Sequence, residues 1–169
     1  MISISALFKE CAAPKDTVCN IKVTKNFTVN IISEPWIDQA HSTCIDAPPD
    51  VGEWALSGLT KEKSTLVKAP RVLESAFSME CELYQAIDIP HPVAGTTDNT
   101  LILGLVKYIH VRKDILNERG VADPGKLKPV ARIGGISYSK TSEGYQLACQ
   151  LWEKTGENIQ KAVGNVIKA

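Results

Sequence analysis

The chain has 169 residues, 44% hydrophobic and 22% charged, with nineteen Lys and Arg balanced by nineteen Asp and Glu. That length suits one domain, since domains cluster at roughly 100–150 residues and a chain of this size buries about two-thirds of its surface. Zero net charge argues against a protein that tracks a nucleic-acid backbone, and no stretch approaches the ~18 continuous apolar residues that span a bilayer.

Met1 to Leu7 alternates apolar and polar residues, the period-2 signal of a half-buried strand. After Pro14, Asp16 is expected as the N-cap of a short helix over Thr17–Lys25. Phe27 to Ile32 is β-branched and predicts a strand. Ser33-Glu34-Pro35 is a helix start, with Pro35 where its missing N–H does no harm, and Trp36 to Cys44 would be that helix. Pro48-Pro49 breaks it, and Val51 to Leu59 predicts another short helix closed by Gly58.

Residues 64–76 predict two short extended pieces split by Pro70. The strongest strand signals follow, Met79 to Ile89 and Thr100 to Val111. The loop between them, with Gly95 and Asn99 for its turns, makes an antiparallel pair the expectation. Residues 112–131 are polar and broken by Pro124, Gly125 and Pro129, and Arg132 to Tyr138 predicts a Gly-Gly turn entering a short extended piece. In the tail, Ile159, Val163 and Ile167 lie on one face of an amphipathic helix, which Gly164 weakens by about 1 kcal/mol relative to Ala. The class is therefore mainly β (α+β), with an antiparallel barrel over residues 1–150 and a C-terminal amphipathic helix over 151–169.

Five cysteines, with no C-x-x-C, suggest neither a disulfide framework nor a zinc site. Reduced and mostly buried thiols are expected, and with no signal-peptide pattern at Met1–Leu7 the protein is expected to be cytoplasmic. His41, His91 and His110 show no metal-ligand spacing, so no metal is expected, and no G-x-S-x-G marks a nucleophile. No catalytic acid or base stands out. The three tryptophans, Trp36, Trp54 and Trp152, are expected in the core or at an interface.

Two segments suit an anionic ligand. Lys15-Asp16-Thr17 stands at a helix start, where free N–H groups favour an anion, Lys15 adds charge and Thr17 a hydroxyl. Arg132-Ile133-Gly134-Gly135-Ile136-Ser137-Tyr138 combines two glycines, which let backbone approach a ligand closely, with an Arg and a Tyr. It is not a G-x-G-x-x-G loop.

In order, these segments are similar to the flavin-reductase-like, FMN-binding split-barrel family. The resemblance runs through Lys15-Asp16-Thr17-x-x-Asn20-Ile21 and Phe27-x-Val29-Asn30-Ile31, then Pro48-Pro49-x-Val51-x-Glu53-x-x-Leu56-x-Gly58-Leu59-Thr60. Ser64-x-x-Val67-x-x-Pro70-Arg71-Val72-x-Glu74-Ser75, Glu80-Cys81-x-Leu83, Leu103-Gly104-x-Val106 and Pro129-Val130-x-Arg132-x-Gly134-Gly135-x-x-Tyr138 complete it. It implies a split β-barrel with short helical excursions, a homodimer with FMN near the subunit interface, and NAD(P)H as co-substrate of a small-molecule oxidoreductase. By resemblance, Lys15, Asp16 and Thr17 would hold the FMN phosphate with Asn20 in support. Arg132, Gly134 and Gly135 would lie near the flavin or the partner subunit.

Three departures qualify the resemblance. His41 and Cys44 stand where the family has Asn and Ser, on a helix near the flavin. Asp50 replaces a Gly. The family's first barrel strands precede the one that here begins at Ile2, which leaves a sheet edge for the C-terminal helix or a second subunit to cover. A shortened, flavin-poor barrel acting as a binding or regulatory partner is the alternative reading, and a sequence begun at an internal methionine of a longer parent is a third.

Overall fold

The computed structural model describes residues 1–7, 14–45, 47–48, 51–93, 97–141, 143–145, 147–149 and 151–166. Its centre is a four-stranded antiparallel sheet in the order β1-β6-β5-β2, formed by β1 (Ile2–Leu7), β2 (Asn26–Asn30), β5 (Phe77–Pro90) and β6 (Thr97–Val111). Strands β3 (Lys61–Glu62) and β4 (Arg71–Val72) pair with each other, as do β7 (Val130–Gly134) and β8 (Ser137–Lys140). Helices α1 (Asp16–Thr24), α2 (Ile37–Ser42), α3 (Glu53–Ser57), α4 (Pro124–Leu127) and α5 (Trp152–Val166) complete the chain.

Alternation produces the sheet. Ile2, Ile4 and Ala6 are half-buried while Ser3 and Ser5 are exposed, so β1 lays one face on the core. Phe27 and Val29 of β2 do likewise. Ile21, Phe27, Cys81 and Ile102 form the buried centre, with Ile2, Ile4, Val29, Met79, Leu83, Ala86 and Val106 packed around them. Gly104 is required there, because a Cβ on it would stand 2.5 Å from Cζ of Phe27. The β5–β6 hairpin is interrupted at Glu80/Cys81, Leu83/Gln85 and Ile89/Pro90, where bulges change which side chains face inward.

The polar face of β2 holds the next segment by side chains. Asn26 Oδ1 accepts from Ala69 N (3.1 Å), Thr28 Oγ1 donates to the Pro70 carbonyl (2.8 Å), and Asn30 Oδ1 accepts from Val72 N (3.0 Å). Beneath that segment lies Glu80, whose carboxylate is fully buried. It accepts from Thr65 N (2.6 Å), Leu66 N (2.6 Å) and Val67 N (3.1 Å), and His110 Nε2 lies 2.6 Å from its Oε1. Burial pushes this carboxyl up, but the His110 bond and the three N–H bonds outweigh burial and hold its pKa at about 2. An ionised carboxylate only accepts, so Nε2 carries the proton.

Several expectations are corrected by the geometry. Asp16 is the first helical residue and Lys15 the N-cap, with no side-chain cap bond. The helix expected from Trp36 to Cys44 is split into a 3-10 turn, Glu34–Trp36, and α2, which leaves Cys44 beyond the helix end. Asn99 makes no turn; it lies within β6 opposite Leu7 and Ile89. The broken region before Arg132 contains α4, capped by Asp123, and the start of β7, so the expected Gly-Gly turn and extended piece are the tip and second strand of a hairpin. Cys19, Cys44 and Cys149 are exposed and only Cys81 of the described cysteines is buried, against the expectation of mostly buried thiols. Trp152 is exposed, whereas Trp36 is buried. Gly95, Asp50, Cys11 and Ile167 lie outside the described residues.

The sheet does not close. Strands β1 and β2 are its edges, and among the described residues no strand pairs with the outer side of β1. Nor does α5 provide the expected cover, since its Trp152, Ile159 and Val163 are exposed. No helix among the described residues is long and apolar enough to cross a membrane, and no group of His, Cys, Asp and Glu there is arranged to hold a metal ion.

Candidate functional site

Two adjoining cavities open beside the start of α1. The first, about 400 Å³, is lined by Asp16, Thr17 and Asn20 of α1, Asn30 of β2, Trp36 and Thr43 around α2, and Glu53, Trp54 and Ser57 of α3, among others. The second, about 430 Å³, is lined by Lys15, Asp16, Thr17, Thr43, Cys44, Glu53 and Arg132, with Ile45 and Ala47. Asp16, Thr17, Thr43 and Glu53 border both.

Each element has a local reason for its place. Helix α1 buries Val18 and Ile21 against the sheet, which points its first turn outward, and Lys25 ends it in the left-handed region (φ 60°) so that the chain reverses into β2. Helix α3 ends at Gly58 (φ 66°), and the Ser57 hydroxyl donates to Trp54 O and accepts from Leu59 N, both 3.2 Å. Arg132 projects from β7. Its Nε and Nη2 donate to the Gly135 carbonyl at 3.2 and 2.8 Å, so the hairpin's own turn fixes the guanidinium.

The two cavities differ chemically. Lys15 and Arg132 line the second alone and give it a cationic wall. The first carries the two tryptophans and no Lys or Arg. Trp36 is 6% exposed and its indole Nε1 has no hydrogen-bond partner, an orphan buried donor beside a cavity. Such a donor is costly unless something accepts from it.

The residues singled out from sequence separate into three groups. Lys15, Asp16, Thr17, Cys44 and Arg132 are brought together on one cavity, and Asn20 lies on the other. His41 lines neither; it is exposed, with Nδ1 3.1 Å from the Tyr138 hydroxyl and the two rings edge-on, and so links α2 to β8. Gly134 and Gly135 line neither cavity as well. Nothing lies within 4 Å of a Cβ built on either, and their φ angles are 118° and 52°, so they serve the turn that holds Arg132 and not a close backbone approach.

Thr43, Glu53, Trp54 and Ser57 escaped the sequence reading as site residues, as did Asn30 and Trp36. Asn30 had a signal in the Asn26-x-Thr28-x-Asn30 alternation, which puts polar groups on one side of a strand. Glu53 had only its place in a matched motif.

The sequence profile of the flavin reductase like domain matches residues 2–130. The chain belongs to the flavin reductase-like family. A relative of this flavin reductase-like chain from Aquifex aeolicus (strain VF5), an uncharacterized protein, is 37% identical over 140 residues, covering 83% of this chain and 67% of its own length. The crystal structure of nitrilotriacetate monooxygenase component B from Bacillus cereus superposes with a TM-score of 0.78 at 30% identity, over 86% of this chain and 70% of that one. A Shewanella frigidimarina NCIMB 400 protein with a split barrel domain matches at TM-score 0.69 and 22% identity, over 88% and 70% of the two chains, a likeness of fold. The open, mainly antiparallel sheet is thus that of the split-barrel flavin reductase fold. The chain spans about two-thirds of the length of these relatives.

Proposed function

We propose that this flavin reductase-like chain binds FMN across the two cavities and serves as an NAD(P)H-dependent oxidoreductase acting on flavin or a small acceptor. One observation carries the reading: a cavity whose lining holds Lys15 and Arg132 adjoins one that holds Trp36 and Trp54, through a polar seam of Asp16, Thr17, Thr43 and Glu53, which suits a molecule with a phosphate at one end, a flat ring at the other and hydroxyls between. Lys15 and Arg132, with the Thr17 hydroxyl and the first turn of α1, would hold the phosphate. Trp36, Trp54, Asn20 and Asn30 would border the ring, and the free Trp36 Nε1–H would donate to one of its acceptors.

Bound flavin would supply the two-electron chemistry, and the chain would orient it and exclude water. The family membership and the likeness to a monooxygenase component support the redox assignment. A homodimer belongs to the same proposal: Ile87, Ile89 and Leu105 are exposed together on the β5–β6 hairpin, and Ile136 is 93% exposed at the β7–β8 tip, surface that a second copy would cover. Among the described residues the outer edge of β1 has no strand partner, which favours the second reading, a flavin-poor barrel that acts through a partner.

The test is titration of the purified protein with FMN, followed by visible absorbance and by quenching of flavin fluorescence, then oxidation of NADH and NADPH by the loaded protein. Saturable uptake with pyridine-nucleotide oxidation is expected. Failure to take up FMN at any concentration up to millimolar would refute the flavin assignment and leave the partner reading.

A further inference from the structure

A third cavity, of about 290 Å³, lies at the end of the β5–β6 pair remote from its connecting loop. It is lined by Arg71 of β4, by Ser75 and Ala76, and by Tyr108 to Arg112 at the end of β6. Val72, the next residue along β4, lines the first cavity instead, so strand alternation sets the third on the other side of β4. Its lining carries two arginines and no Asp or Glu.

Arg71 is the unexplained group there. Its side chain is 18% exposed, its Nε is buried without a partner, and its guanidinium makes no hydrogen bond among the described residues. Glu62 Oε1 stays 3.8 Å from Nη2, beyond hydrogen-bond reach. A guanidinium presents five N–H donors in a rigid fork, and burying it with none satisfied is costly unless something accepts from it. Arg112 is tied through Nε and Nη2 to Asp114, which leaves Nη1 idle, and that pair is exposed and so holds weakly. The Tyr108 ring leans on the His110 ring, centroids 4.8 Å apart, and the buried Glu80 carboxylate fixes His110 in turn. This wall is therefore set before any ligand arrives, which lowers the cost of binding. The nearby carboxylates of Glu62, Glu80 and Asp114 stand outside the lining.

We propose that this cavity is a separate anion site, which takes a phosphate group between Arg71 and Arg112 with the Tyr108 hydroxyl as a further donor. A phosphate offers oxygens to two guanidinium forks at once, whereas the two oxygens of a carboxylate are filled by one. The volume is at the low end for a ligand pocket, which suits a phosphate group and not a whole dinucleotide. The group arrives either as inorganic phosphate or on a nucleotide whose remainder stays outside the cavity. Binding is non-covalent, and the site does not depend on the flavin reading above.

The experiment is calorimetric titration at constant ionic strength with three probes: inorganic phosphate, adenosine 2′-monophosphate and adenosine. The starting protein is Lys15→Ala/Arg132→Ala, which removes both cations of the second cavity, and Arg71→Gln, Arg112→Gln or Tyr108→Phe is added to it singly. Arg112 and Tyr108 are well exposed, so their variants test the site even where Arg71→Gln fails to fold, which circular dichroism melts report. Saturable binding of at least one phosphate probe to the starting protein is expected. Arg71→Gln and Arg112→Gln should each weaken it by about 10-fold and Tyr108→Phe by about 3-fold, the loss of charged and neutral donors respectively. Adenosine should not bind. A nucleotide held about 10-fold more tightly than inorganic phosphate would assign the group to a nucleotide, and equal or weaker binding would assign it to free phosphate. No saturable binding of either phosphate probe into the millimolar range would overturn the proposal. So would binding that the folded Arg71 and Arg112 variants leave unchanged, or adenosine bound as tightly as its 2′-phosphate. Failure of FMN uptake would leave this inference standing, and an empty third cavity would leave the flavin reading standing.

Discussion

Glu80 is the residue whose removal the structure prices most directly. Its carboxyl has an ordinary pKa of 4.5 and is held at about 2 in the fold. A folded pKa below the unfolded one means that the stabilisation is complete above about pH 4.5 and is lost as pH falls toward 2. That difference corresponds to about 3 kcal/mol at neutral pH, of which about 2 kcal/mol is gone by about pH 3. Glu80→Gln removes the charge, and its amide nitrogen would confront either His110 or one of the N–H groups of Thr65, Leu66 and Val67. Urea unfolding at pH 7 should show the variant less stable by about 3 kcal/mol, since a buried network loses its charged acceptor. At pH 3 the gap should shrink to about 1 kcal/mol. A variant within about 0.5 kcal/mol of wild type at pH 7, or a gap of the same size at both pH values, would refute the view that this carboxylate anchors the 64–69 loop.

Three further outcomes are expected. Gly104→Ala should destabilise by about 1–3 kcal/mol in thermal or urea melts, because its methyl would collide with the Phe27 ring; the pair with Phe27→Leu should recover part of the loss, and strictly additive effects would argue against the contact. Mass-spectrometric mapping after brief alkylation should find Cys19, Cys44 and Cys149 modified and Cys81 protected, since burial both shields that thiol and pushes its pKa up. Lys15→Ala should weaken FMN by about 10-fold in the quenching titration while riboflavin is held as before; an equal loss for both would place the phosphate elsewhere.

Features set by neighbouring residues were legible without coordinates. The alternation of Ile2, Ile4 and Ala6 with Ser3 and Ser5, the long β5–β6 pair, Pro35 at a helix start and Gly58 at a helix end all came from side-chain periodicity and local backbone preference. The order of motifs pointed to the family, which the profile over residues 2–130 bears out. Errors of a residue or two at helix ends, such as Asp16 taken for a cap, reflect how weakly composition marks a boundary.

The cavities were not legible, because their walls come from segments far apart in sequence that meet only once the core is packed. Sequence alone determined that Lys15 and Arg132 carry positive charge; tertiary packing decided that both line one cavity, after the hairpin turn at Gly135 had fixed the guanidinium. It likewise decided that Trp36 would be buried with an idle donor and that Glu53 would stand unpaired between two chemically different hollows. Hydrogen-bond satisfaction and burial depend on what arrives from elsewhere in the chain, whereas periodicity and capping depend on residues only a turn away. Local order is written along the chain; the site is written across it.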